Sequence, residues 1–320
     1  MAGVKTQQRS SGGSRNARMN DMARCGAAVA VLLTVGAADA LAEPQAFPSA
    51  EAAVQALRDA LEAEDGDAFR AIFGPEYADD LIGSDIAILR EELRQTREAM
   101  RSATALLPEA DGRMILTIGR QAFPFPVPIV REGDSWYFDS AAGLEEILDR
   151  RIGENELAAI ETLRAYVQAQ IEYASADRDG DQVLEYAQRV ISTPGQRDGL
   201  YWASAPGEPV SPFGPFIAEI SALIQGKELG DPYRGYYYRV LKGQTEHAPG
   251  GAYEYVINGN MIAGFAMLAW PAEYGETGVM TFQVSHQGDV LEADLGPETA
   301  EVAPAFDAYD PDATWTEVGD

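Results

Sequence analysis

Thiols, imidazoles and positive charge are scarce in this chain, and each shortage removes a class of chemistry. Its 320 residues include one cysteine and two histidines. The cysteine, Cys25, lies in an N-terminal leader, so the rest of the chain has no disulfide, no thiol nucleophile and no thiolate metal site. His247 and His286 both sit beside turn residues, which argues against a histidine general base. No G-x-S-x-G elbow is present, so a Ser-His-Asp arrangement has no support. Basic residues number 24 against 51 acidic ones, a net charge of −27, which makes nucleic acid and anionic membrane surfaces poor partners.

What the chain does have, at its start, is a basic leader containing Lys5, Arg9, Arg15, Arg18 and Arg24. An apolar run from Gly26 to Gly36 follows, and then small residues ending Ala40-Leu41-Ala42. This order is the pattern of a secretory signal peptide over residues 1–42, with Glu43 as the expected mature start and a periplasmic or secreted destination. The apolar run is shorter than the ~20 residues a membrane span needs, so no stable insertion is expected after cleavage. Cys25 precedes the run and is misplaced for a lipid anchor. Five of the 24 basic and two of the 51 acidic residues lie in the leader, leaving 19 against 49 and a net charge of −30. Cations, cationic surfaces or plain solubility in the envelope suit such a charge. The length beyond the leader suggests two domains, 43–150 and 151–320.

Residue patterning predicts an α+β protein. Ser49 is a candidate N-cap for a helix carrying Val54, Leu57 and Leu61 at helical spacing. A short helical stretch with Phe69, Ile72 and Phe73 stops at Gly74-Pro75, and a third, rich in Glu and Arg, runs from Ile86 to Met100. The period then changes. Met114 to Ile118, Val127 to Val130 and Ser135 to Asp139 read as strands, with Glu132-Gly133-Asp134 as a hairpin turn. Pro124, Pro126 and Pro128 alternate, which suits an exposed edge or an extended segment. Helices followed by a small antiparallel sheet resemble the cone-shaped folds of the nuclear-transport-factor or cystatin type.

The second half opens with the longest helix, where Leu157, Ile160, Leu163, Val167 and Ile171 predict one apolar stripe. After a Pro- and Gly-rich region comes a short apolar helix around Phe216 to Ile224, then strands at Gly235 to Leu241, Tyr253 to Ile257, Met261 to Trp270, Val279 to Val284 and Val290 to Asp294. Asn258-Gly259 is a strong hairpin signal because both positions tolerate positive φ. The expectation is a long helix laid on an antiparallel meander.

One loop carries metal chemistry. Asp177, Asp179 and Asp181 occupy the first, third and fifth positions of a calcium-loop pattern, Val183-Leu184 follows, and Glu185 closes the candidate ligand set for Ca²⁺. Two positions depart from the pattern: Gln182 stands where glycine makes the sharp turn, and Gln188 where the bidentate glutamate belongs. The other reading is a solvated Asp-Gly turn ending the long helix. Tyr236, Tyr237, Tyr238, Trp202, Trp270 and Tyr274 could line a ligand groove, but aromatics in strands more often pack. With this many acids, carboxylate pairs at glycosidase spacing arise by chance.

The stretches Ile191-Ser192-Thr193-Pro194-Gly195-Gln196-Arg197-Asp198-Gly199-Leu200-Tyr201-Trp202, Gly235 to Leu241, and Pro271 to Phe282 resemble a bacterial exported family known as domain of unknown function 2950. Asp294-Leu295-Gly296, Phe306, Asp310-Pro311-Asp312 and Trp315 also match its pattern. The resemblance implies a secreted or periplasmic location and no assigned activity. Residues Asn155 to Leu163 and Gln168 to Ala174 are also similar to the soluble half of the pseudopilin and type IV pilin helix. Pilins open with a hydrophobic stem that assembles the filament. Here that place holds a polar domain, so the similarity implies the fold and not filament assembly. The favoured expectation is a non-enzymatic interaction or structural protein with an envelope partner. A binding module for a small ligand or Ca²⁺ is the alternative, and a carboxylate-based hydrolase stands behind it.

Overall fold

The computed structural model describes residues 44–75, 77, 86–109, 111–178, 180–204, 207, 210–214 and 232–319. Helix α1 (Ala50–Ala63) starts at Ser49, whose Oγ accepts from the Ala52 N–H at 3.2 Å, a cap that stabilises a helix by about 1 kcal/mol. Helix α2 (Gly66–Phe73) is capped by Asp65 and buries Phe69, Ile72 and Phe73 before Gly74 ends it. Helix α3 (Ile86–Ser102) is tied to α1 by the Arg101–Glu62 pair, with Arg97 held to Glu64 just beyond the end of α1 at 2.7 Å.

The strands are β1 (Thr104–Pro108), β2 (Met114–Ile118), β3 (Phe123–Pro124), β4 (Ile129–Glu132) and β5 (Ser135–Phe138), antiparallel in the order β1-β2-β4-β5 with β3 also on β2. The expected Glu132-Gly133-Asp134 turn joins β4 to β5, with Gly133 at φ 60°. Strand β1 escapes the periodicity argument because Leu106-Leu107-Pro108 does not alternate; Leu107 is exposed on it. On one face of the sheet Leu116, Ile129 and Phe138 meet Leu57, Ile72 and Phe73 from the helices. The outer edge of β5 is covered by Phe47, which exchanges both backbone hydrogen bonds with Trp136 at 2.8 Å. That bridge caps the edge at Trp136.

Helix α4 (Ser140–Tyr173) is continuous, so the expected division near residue 150 falls inside it. Asp139 caps its start, and the Ser140 hydroxyl donates to the Phe73 carbonyl at 2.7 Å. Gly143 is required there: a Cβ would lie 2.6 Å from Val127 Cγ2. From Asn155 onward the same helix belongs to a second core. Asn155 Nδ2 donates to the Thr277 carbonyl at 2.9 Å, and Glu156 Oε1 accepts from the N–H groups of Val279 and Met280. The buried stripe differs from the predicted one. Leu157 and Ile171 are 64% and 54% exposed, while Tyr166, Gln170 and Tyr173 are buried beside Ile160, Leu163 and Val167. Tyrosine and glutamine belong to this face because their tips find partners inside the protein.

The second sheet runs β14 (Thr316–Glu317), β13 (Val290–Ala293), β12 (Thr281–Ser285), β11 (Ala266–Pro271), β6 (Tyr236–Leu241), all antiparallel. Between β6 and β11 the expected long strands are shorter pieces: β7 (Gly243–Gln244) pairs β8 (Tyr253–Glu254), and β9 (Val256–Ile257) pairs β10 (Asn260–Met261) across the Asn258-Gly259 turn, at φ 53° and 97°. Gly264, where a Cβ would meet the Tyr255 ring at 2.8 Å, separates them from β11. Helix α4 packs on β11, β12 and β13. The other face is closed by α5 (Thr299–Val302) and the segment to Trp315, with Arg239 donating to the Pro304 carbonyl and Gln283 exchanging hydrogen bonds with the Asp310 backbone. Strand β12 is therefore buried along its whole length. The helix expected around Phe216 to Ile224 lies outside the described residues.

Candidate functional site

The predicted acidic loop follows α4 directly. Arg178 closes the helix, its Nε and Nη2 donating to the last-turn carbonyls of Tyr173 and Glu172 at 3.2 and 3.1 Å, where a cation also complements the helix dipole. Asp177 accepts from the N–H groups of Gly180 and Gln182 at 2.7 and 3.0 Å. Gln182 therefore adopts the left-handed turn, φ 72°, that glycine was expected to supply, with a carboxylate holding its N–H. Asp181 accepts from the Val183 N–H and from Asn260 Nδ2, and Glu185 accepts from the Met261 N–H at 3.0 Å. The loop thus fastens α4 to the β9–β10 hairpin. Asp179 lies outside the described residues. Among the described residues no group of three or more His, Cys, Asp or Glu side chains is placed to hold a metal ion.

The histidines have separate surroundings. Asp310 Oδ1 accepts from Thr245 Oγ1 and meets His247 Nδ1, both at 2.6 Å, and this hydrogen bond holds the imidazole above its ordinary pKa. His286 packs edge-on to the Tyr255 and Phe265 rings, and burial lowers its pKa. Thr245 and His247 share one carboxylate oxygen. Most of the aromatic candidates pack: Tyr236 and Trp202 are buried, Tyr238 lies against the core, and the Tyr237 and Trp270 rings meet at a tilt 5.7 Å apart, while Tyr274 donates to Asp294 at the surface. Burial, with the Glu156 carboxylate adding to it, raises the Glu292 pKa. Glu156 is itself committed to two backbone N–H groups.

The first unit keeps an open groove of about 250 Å³ on the face of its sheet away from the helical core. One bank is a stripe of α4, Ala142, Glu146 and Arg150, spaced by one helical turn each. The facing bank comes from the β1–β2 hairpin, with Glu109, Arg113 and Ile115. Pro124, Phe125, Pro126 and Pro128 form the floor. Arg150 is fixed three ways: Nε to Glu146 at 2.8 Å, Nη1 to the Pro124 carbonyl at 3.0 Å, and its guanidinium 5.3 Å above the Phe123 ring. Arg113 is fixed by Asp111 at 2.6 Å and Glu109 at 3.3 Å.

The family model described as Protein of unknown function (DUF2950) matches residues 44–318. The chain belongs to this family. No curated protein and no solved structure matches it.

In this DUF2950 member, the motifs that carried the resemblance serve as clamps. Asp198 accepts from both the backbone N–H and the hydroxyl of Thr193, and Gly199 lies so close to the chain that a Cβ would sit 2.8 Å from the Ser192 nitrogen. Asp294 accepts from the Gly296 N–H and from the Tyr274 hydroxyl, and Phe306 meets Trp315 edge to face. Sequence reasoning passed over the groove. The alternating prolines and the 142/146/150 spacing were the only signals for it, and neither says that the two segments face each other.

Proposed function

We propose that this chain is an exported protein of the bacterial cell envelope that acts by binding and not by covalent chemistry. In this reading it has two domains, 43–150 and 151–320, joined through α4, and the second presents a partner surface as a pilin-type domain does. The carrying observation is that the family match opens at residue 44, two residues past the Ala40-Leu41-Ala42 cleavage pattern. A long helix laid along β11, β12 and β13 supports the pilin-type reading. Among the described residues no helix is long and apolar enough to cross a membrane. Expression with its own leader in a Gram-negative host, followed by mass spectrometry of the envelope fraction, should give a protein beginning at Glu43. Full-length protein retained in the cytoplasm overturns export. Cross-linking in the native envelope should then give one reproducible partner, and its absence overturns the interaction role.

A second reading, a binding module for a small ligand, is favoured by one observation. The interior of the first unit is filled by Phe73, Phe138, Leu57 and Ile72, but the groove outside it is open and lined by fixed charged groups.

A further inference from the structure

We propose that the groove of the first unit is a saccharide site, taking a neutral mono- or disaccharide between α4 and the β1–β2 hairpin. This rests on the small-ligand reading and names its ligand class. Charge comes first. The lining carboxylates Glu109 and Glu146 balance the lining guanidiniums Arg113 and Arg150, and Asp111 on Arg113 adds one more negative charge, so the groove offers no net attraction to an anion. An anion would also meet the field of a chain whose net charge is −27.

Hydrogen-bonding capacity comes second. Each bank holds a paired carboxylate and guanidinium, and so presents donors and acceptors side by side, the arrangement that adjacent hydroxyls of a sugar can satisfy together. The donors are partly oriented before any ligand arrives. Arg150 keeps Nη2 and Arg113 keeps Nη1 without a hydrogen bond among the described residues, while their other nitrogens anchor them. Both pairs are open to solvent, Arg113 at 42% and Arg150 at 28% exposure, so the anchoring orients these donors only in part.

The floor comes third. Pro124, Pro126, Pro128 and the half-buried Phe125, which is held edge-on to Phe138 at 6.4 Å, give an apolar surface for the C–H face of a sugar ring. Prolines have no N–H, so this wall cannot extend a backbone ladder to a bound peptide strand. The volume of about 250 Å³ falls just below the usual range of small-molecule sites, about 300–1,000 Å³, which limits the occupant to one or two rings partly open to solvent.

Saturation-transfer NMR on the mature protein tests this, with N,N′-diacetylchitobiose, maltose and cellobiose as sugars and benzoate and tetramethylammonium as ionic probes. At least one disaccharide should give saturable transfer, weakened tenfold or more in Arg150→Gln. Ala142→Leu should do the same by narrowing the groove from the helix without touching a polar contact, which covers the case where Arg150→Gln disturbs folding. Saturable binding of an ionic probe with none from a sugar overturns the saccharide class and leaves the small-ligand reading standing. Binding by neither class overturns both, and sugar binding unchanged in both variants overturns the assignment to this groove.

Discussion

The two units use one plan, an antiparallel sheet with helix against it, but fill it differently. The first core is made of Phe, Leu, Ile and Ala side chains, brought together by elements close in sequence, and one face of its sheet keeps a groove. The second has both faces covered and stitches polar groups into its interior. Tyr166 donates to the Ala266 carbonyl, Gln170 bonds both the N–H and the carbonyl of Ala187, and Tyr255 donates to Gln244. An apolar core tolerates reshaping at the cost of a cavity. A stitched core fails by orphaning a partner, so the same change of volume means different things in the two halves.

The comparison can be broken most directly at the two phenylalanines. Phe138→Ala and Phe282→Ala should each remove about 3–5 kcal/mol, and calorimetry should show each lowering a different transition. One shared transition lowered by both variants would mean that α4 couples the units into one cooperative body.

Next in size is Gln170→Leu, which keeps the volume of a fully buried side chain and strands the Ala187 N–H and carbonyl. A loss of about 1–3 kcal/mol per orphaned group is expected from chemical denaturation. A neutral result would show the stitching to be dispensable.

The pH dependence sharpens the contrast further. Asp310, ahead of Glu246 and Asp312, raises the His247 pKa in the folded state. That contribution is complete below the unfolded value of about 6.5 and is lost as pH rises through the folded value. His286, lowered by burial, has the opposite sign: it costs stability as pH falls below about 6.5. The stability that His247 adds to the second unit, read as the difference between wild type and His247→Gln, should therefore shrink as pH is raised from 6 to 8, while the acid-side loss from His286 persists in the variant. A first unit that shifts equally would assign the effect elsewhere, since both histidines lie in the second.

The smallest expected effect is that of Ca²⁺. With Asp177, Asp181 and Glu185 occupied by N–H donors, millimolar Ca²⁺ and Mg²⁺ should give coincident unfolding curves. A Ca²⁺-specific rise abolished by Asp177→Asn would show that the loop exchanges its internal donors for the cation.

Local chemistry was readable because its causes lie within a few residues. Ser49 caps a helix, Asn258-Gly259 and Gly133-Asp134 turn hairpins, and the Val54, Leu57, Leu61 spacing marks a buried face, each from short-range sterics and hydrogen bonding. The family motifs were equally legible, since residue order alone defines them. What the fold alone decided was which polar groups find partners. Tyr166 and Gln170 are interior because Ala266 and Ala187 meet them, Leu157 is exposed because nothing among the described residues covers it, and Asp177, Asp181 and Glu185 meet backbone N–H groups. The groove belongs to the same class. Arg113 and Arg150 share it only because Gly143 lets α4 approach Val127, a long-range contact that no local pattern encodes.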